Sequence, residues 1–296
     1  MTNISPIAAI WSSWFITALN LVVCKIAVPY ISSPLFIFIS CALCALCFLP
    51  YLLTTGHWRT LCDKKVWPAC LAMGTFGTAL PMTIFLFALR FTTPTNAAIL
   101  NQFEIIYSLI LAAILLKERP TARQLSGSAL IVMGVVLLLW QAGLSLQLKG
   151  DLLIIGCVWM YQISHIFAKK LPPQMPPALI AAARALFALP ALALLLVILR
   201  TVQGPLLFVS NWTVWGILLF SAIANYTLGN TWWYHAIRNM DLSKATAIIL
   251  SYPVMTCLLS LLLKQDTFSY YKLVGMLLAM MGAYMVTCSA RKGENK

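Results

Sequence analysis

Residues 97–134 read AAILNQFEIIYSLILAAILLKERPTARQLSGSALIVMG, and residues 245–282 read ATAIILSYPVMTCLLSLLLKQDTFSYYKLVGMLLAMMG. At an offset of 148, Ala97 meets Ala245, Glu118 meets Asp266, Gly127 meets Gly275 and Gly134 meets Gly282. The same offset carries Trp11 to Trp159, Ala88 to Ala236 and Arg90 to Arg238. A constant offset over so many positions identifies one unit written twice. The unit is almost entirely apolar, and a duplicated apolar unit can form a binding site where its two copies meet.

Composition excludes an ordinary soluble domain. Of 296 residues, 61% are hydrophobic and only 9% charged, and the mean hydropathy is +0.90; soluble domains carry about a quarter charged residues. A membrane-crossing helix needs about 20 apolar residues. Ten such stretches are predicted, at 4–28, 34–54, 66–89, 94–116, 121–141, 150–170, 175–200, 212–236, 242–263 and 267–289. Barrel strands alternate apolar and polar residues, but runs such as 109–116 and 192–199 do not. The expected fold is therefore all-α and integral to the membrane. A first repeat spans 1–141 and a second 150–290, joined by a short polar link at 142–149. With no basic residue before Lys25 and no clear small-residue cleavage site, the first stretch reads as a retained span rather than a signal peptide.

The formal charge of +13 would suit nucleic acid, but its distribution points to a bilayer. With the N-terminus inside, 13 Lys and Arg fall on the cytoplasmic side: Arg59, Lys64, Lys65, Lys117, Arg119, Arg123, Lys169, Lys170, Arg238, Lys244, Arg291, Lys292 and Lys296. Six fall opposite, and Arg184 lies within a span. This bias places both termini in the cytoplasm. Five spans per half, an odd number, make the second half inverted. Tyr51, Trp58, Trp67, Trp140, Trp212, Trp215, Tyr270 and Tyr271 stand at span ends, where amphipathic rings favour the headgroups.

Three features read as architecture. Cys41, Cys44 and Cys47 mimic a metal motif, but they lie in an apolar helix with no His or acid nearby, so packing is expected. Pro81, Pro190 and Pro253 sit well inside expected spans and are expected to kink them. The glycine pairs 127/134 and 275/282 occupy one helix face each, which suits close helix packing.

Residues 106–120, then Gln124, Leu125, Ser126, Gly127 and Gly134, resemble an EamA repeat of the drug/metabolite transporter superfamily. So do Tyr252, Pro253 and Val254 through Asp266, Gly275 and Gly282, with Trp11 and Trp159 in the first helix of each repeat. The resemblance implies ten helices in two inverted five-helix repeats, with a central cavity between halves, and export of amino acids or related metabolites. The sequence departs from the family pattern at Glu104-Ile105, where an acid is often followed by proline, and at Tyr252, which fills the acidic slot of the second half. Arg184 matches a second-helix arginine whose approximate place in the first half is held by Cys41.

Glu104 is the leading candidate for proton coupling or for binding a substrate ammonium, because an intramembrane carboxylate is costly unless paired or facing a cavity. Asn101, Glu104 and Ser108 share one helix face. Further polar stripes are Ser13, Thr17 and Asn20; Trp159, Gln162 and His165; and Tyr226, Asn230 and Trp233, with Asn225 beside them. Converging stripes make a wet cavity, or else hold helices together. The candidate substrate-binding set is Trp11, Asn20, Asn101, Glu104, Tyr107, Trp159, Gln162, His165, Asn225, Asn230, Trp233 and Tyr252. Rings beside a carboxylate suit a zwitterion or an organic cation. Arg184 either pairs with Glu104, binds a substrate carboxylate or reaches toward the cytoplasmic edge. Glu118 and Asp266 are expected to cap or pair near Lys117, Arg119 or Lys264.

These readings favour a secondary transporter exporting amino acids. A carrier of a nucleotide derivative, quaternary amine or cationic drug is the alternative. No Walker A pattern and no H-E-x-x-H occurs, so neither ATP hydrolysis nor an enzyme is expected. No cofactor or metal is expected either. The expected partners are a small-molecule substrate and the lipid bilayer but no nucleic acid, with the chain a monomer or weak homodimer in the inner membrane.

Overall fold

The computed structural model describes residues 4–115, 121–142, 146–168, 170–172, 174–239, 245, 248–249 and 251–290. Among these, regular structure is helical apart from one isolated bridge between Ile31 and Phe208. The first half runs Pro6–Ala27, Ser33–Thr55, Trp67–Ala88, the pair Pro94–Leu100 and Phe103–Leu115, then Ala122–Ala142. The second runs Leu146–Ala168, Pro177–Gln203, the contiguous Trp212–Phe220, Ser221–Gly229 and Asn230–Asn239, then Tyr252–Leu262 and Tyr270–Ala290. These are the first to tenth spans. Six are single helices long and apolar enough to cross a membrane: the first, second, third, fifth, sixth and seventh. Residues 116–120 lie outside the described set, and with them the expected role of Glu118.

Sequence sets the helix ends. Ser5 caps the first span by accepting from the Ala8 N–H at 3.2 Å, with Pro6 at the first helical position. Asn211 caps the eighth by accepting from the Val214 N–H at 2.7 Å. The second ends at Gly56, whose φ of 70° belongs to the left-handed region that glycine enters freely.

The outward faces are apolar. Leu53, Ile114, Val202 and Leu262 are exposed around the bundle, and Trp140 and Trp212 near helix ends are 80% and 93% exposed. Such continuous apolar surface fits lipid. Cys41 and Cys44 are buried and Cys47 is exposed; the Thr227 hydroxyl donates to the Cys44 sulfur at 3.3 Å.

The two halves are interlocked. The first span packs against the eighth and ninth, and the sixth packs against the third and fourth, so the leading helix of each half lies on the other half. The fifth and tenth spans pair separately. A Cβ added to Gly127 would lie 2.7 Å from the Gly282 carbonyl oxygen, and one on Gly134 would lie 2.5 Å from the Gly275 carbonyl oxygen. Only glycine permits that backbone approach. Gly134→Leu is therefore expected to destabilise the protein by about 1–3 kcal/mol through overpacking, read as a lower midpoint in detergent thermal unfolding. An unchanged midpoint would contradict the pairing.

Two irregularities recur at the offset of 148. The third span contains a π-helical stretch at Thr75–Ala79 and the eighth one at Ser221–Gly229. The fourth span breaks at Asn101 and Gln102, and the ninth resumes as a helix at Tyr252 after Ser251. Pro253 therefore starts a helix rather than kinking one, because its fixed φ suits the first turn. Pro81 follows the π stretch at a helix start, while Pro190 and Pro50 lie inside helices.

Candidate functional site

The irregular segments surround a cavity of about 530 Å³ between the halves. Its walls come from the first, second, third, fourth, sixth, seventh, eighth and ninth spans. Nine expected site residues line it: Asn20, Asn101, Glu104, Gln162, His165, Asn225, Asn230, Trp233 and Tyr252. Thr17, Tyr226 and Ser108, from the same polar stripes, line it too.

Trp11, Tyr107 and Trp159 stand elsewhere. Trp11 is 47% exposed on the outer face, in edge contact with Trp14. Tyr107 donates to the Ile155 carbonyl at 3.1 Å and so ties the fourth span to the sixth. Trp159 is partly buried outside the cavity lining. Three residues turn a helix by about 300°, so a stripe at i, i+3 and i+6 drifts about 60° per step. That drift carries Trp159 off the face shared by Gln162 and His165.

Glu104 stands at the start of the fourth span's second piece. Its Oε1 accepts from the Gln162 amide at 2.9 Å and lies 3.3 Å from His165 Nε2. One carboxylate thus joins the two halves through the sixth span. At the 148 offset Gln162 corresponds to Trp14, and Glu104 to Tyr252. In the other half the contact is uncharged and falls one position earlier: Trp14 Nε1 donates to the hydroxyl of Ser251, the neighbour of Tyr252, at 2.9 Å. Tyr252 then reaches the other break, its hydroxyl donating to the Ala98 carbonyl at 3.2 Å. The two broken helices therefore meet, and only one side of the meeting is acidic.

Arg184 lines the same cavity. It neither pairs with Glu104 nor reaches the edge of the bundle, two of the readings open from sequence. It reaches across to the irregular part of the third span, the π-helical stretch Thr75–Ala79 just before Pro81. Arg184 donates to the Gly77 carbonyl, and its Nε donates to the Thr78 hydroxyl at 2.9 Å. Tyr161, Tyr226 and Tyr234 stand close around it.

One end of the cavity is sealed. Lys25 donates to the Leu89 carbonyl and, at 2.7 Å, to the Thr92 carbonyl. Thr92 donates to Asp151, which is fully buried, and Lys272 pairs with Asp266. Asp266 thus finds Lys272 rather than Lys264, because the first turn of the tenth span brings that ammonium back over the loop. Arg90 donates to the Ile31 carbonyl at 3.1 Å, and residues 30–32 bond residues 207–209. Toward the other end, which carries both chain termini, Ser108 is exposed and Gln124 and Val286 reach the cavity rim. The cavity opens on that side.

Comparison with known proteins places this geometry. The model of the EamA-like transporter family matches residues 4–140 and again 148–288. An uncharacterized transporter of Bacillus subtilis (strain 168) is 24% identical over 204 residues, covering 67% of this chain and 66% of its own length. A probable amino-acid metabolite efflux pump of Salmonella typhimurium is 25% identical over 211 residues, covering 68% of this chain and 70% of its own. A crystal structure with 19% identity superposes with a TM-score of 0.64, covering 97% of each chain, and shares the fold.

Proposed function

Because the chain belongs to the EamA-like transporter family, we propose that it is a secondary transporter exporting amino acids, with apolar or aromatic ones preferred. The observation that carries this reading is the Glu104 carboxylate in a cavity between broken helices of both halves. Such a carboxylate can hold a substrate ammonium or a proton. Phe36, Ile37, Met82, Phe85 and Trp233 supply an apolar wall for a side chain. The similarity to a probable amino-acid metabolite efflux pump supports the same substrate class.

In this reading the protein sits in the inner membrane with both termini in the cytoplasm, as the charge bias favours. The bilayer and a small molecule are its partners, and it works as a monomer or weak homodimer. The sealed end is then periplasmic, and the open cavity takes its substrate from the cytoplasm. Rocking the halves about Glu104 exchanges the two openings. Proton exchange at Glu104 supplies the drive.

Counterflow in proteoliposomes tests the proposal. Liposomes loaded with unlabelled apolar or aromatic amino acid are expected to accumulate the labelled form transiently. Accumulation of quaternary amines or nucleotides instead, with none of amino acids, would overturn the substrate class.

A further inference from the structure

Arg184 carries a charge that the structure leaves without a carboxylate. Among the described residues, the ion pairs are His165 with Glu104 and Lys272 with Asp266. The guanidinium is held by the Gly77 carbonyl, the Thr78 hydroxyl and the Tyr234 side chain, none of them an acid. A cation inside a membrane bundle is costly and is retained where it faces a partner or a pathway. Arg184 faces the cavity. Gly77, Thr78 and Tyr234 engage three of its donors on the protein side, and a guanidinium has five. Donors therefore remain, in a planar group whose geometry matches a carboxylate.

The sixth span arranges the two charges. Gln162 and His165 hold Glu104 on one side. Ser164, on another face of the same helix, packs where the Gly77 backbone and the Arg184 Nε meet. Tyr161, on the same helix, is near both Glu104 and Arg184. One cavity is thus lined by an anion, a cation and an aromatic ring.

We infer that Arg184 is the carboxylate-binding residue of this site and makes it select substrates bearing both an ammonium and a carboxylate. This deepens the amino-acid reading and rests on it. Of the alternatives read from sequence, quaternary amines and cationic drugs lack the group that Arg184 would hold.

The test uses full-length protein in proteoliposomes with phenylalanine and phenethylamine, which differ by the carboxylate alone. Wild type is expected to take phenylalanine at least tenfold better, judged by kcat/KM in counterflow. Arg184→Gln is expected to bring that ratio near one, chiefly by raising the KM for phenylalanine. Arg184→Lys, which keeps the charge, is expected to restore part of the ratio. Because Arg184 also anchors the third span, overall activity falls in either variant, so the ratio is the readout. A loss shared equally by both compounds in both variants, with the ratio unchanged, would make Arg184 structural and overturn the inference while amino-acid transport stood. Wild-type protein that moves neither compound, or only the amine, would instead reject the amino-acid reading itself. If Arg184→Gln fails to fold, competition decides. Excess 3-phenylpropionate, which keeps the carboxylate and lacks the amine, should inhibit wild-type phenylalanine counterflow, and absence of inhibition would overturn the inference.

Discussion

Glu104→Gln is expected to lower amino-acid counterflow by about 10- to 100-fold and to remove its pH dependence. The substitution keeps the size of the side chain and its capacity to accept from Gln162, which donates at 2.9 Å. It removes the charge. A hydrogen bond to a charged partner is worth about 1.5–3 kcal/mol, and each 1.4 kcal/mol is about tenfold in affinity, so an ammonium substrate loses about that range. The pH effect has a separate origin. Gln cannot take up or release a proton, so transport driven by a proton gradient should stop while residual counterflow continues. His165 lies 3.3 Å from the same oxygen, and Tyr161 and Tyr252 are also near Glu104; His165→Gln separates the imidazole's part, and pH dependence should persist. Wild-type rates with an unchanged pH profile in Glu104→Gln would remove the carboxylate from the mechanism.

Lys25→Met should unseal the closed end. The ammonium bridges the Leu89 and Thr92 carbonyls, at the point where Thr92 bonds Asp151 of the other half. Asp266 lies near Lys25, and Lys272 near Asp151, so both halves contribute to one charged latch. Met preserves the stem and deletes both bonds. Losing even one charge-assisted bond of about 1.5 kcal/mol shifts a two-state equilibrium roughly tenfold. Cys24, buried beside the latch and lining the cavity, reports the change. With the other cysteines replaced, its reaction with an impermeant maleimide added from the side of the closed end should speed up roughly tenfold. Equal rates in both proteins would mean that Lys25 does not hold the seal.

The repeat and the apolar spans were legible because both are patterns in one dimension. Gly127, Gly134, Gly275 and Gly282 marked the fifth and tenth spans as closely packed helices through spacing alone, and the structure shows that they pack on each other. The polar stripes on the fourth, sixth and eighth spans located most of the cavity, since burial in lipid makes every polar residue conspicuous. What sequence did not show was crossing between halves. Nothing local says that the sixth span leaves its own half, yet that is why Gln162 meets Glu104. Trp11, Tyr107 and Trp159 were gathered in by chemistry and excluded by rotation. Arg184 was seen as costly, but its anchor is a carbonyl and a hydroxyl of another helix, a tertiary fact. The breaks at Asn101 and Ser251 were hidden because an apolar run does not record where its hydrogen bonding stops; only Pro253 marked one of them.

Substrate protection tests the central claim most directly. Ser108 lies on the Glu104 face of the fourth span, exposed at the open side of the cavity. In a cysteine-free background, Ser108→Cys should react readily with a small thiol reagent. A saturating transported amino acid should slow that reaction severalfold, and Glu104→Gln should abolish the protection. A transported amino acid that leaves the labelling rate of Ser108→Cys unchanged would place the substrate outside this cavity.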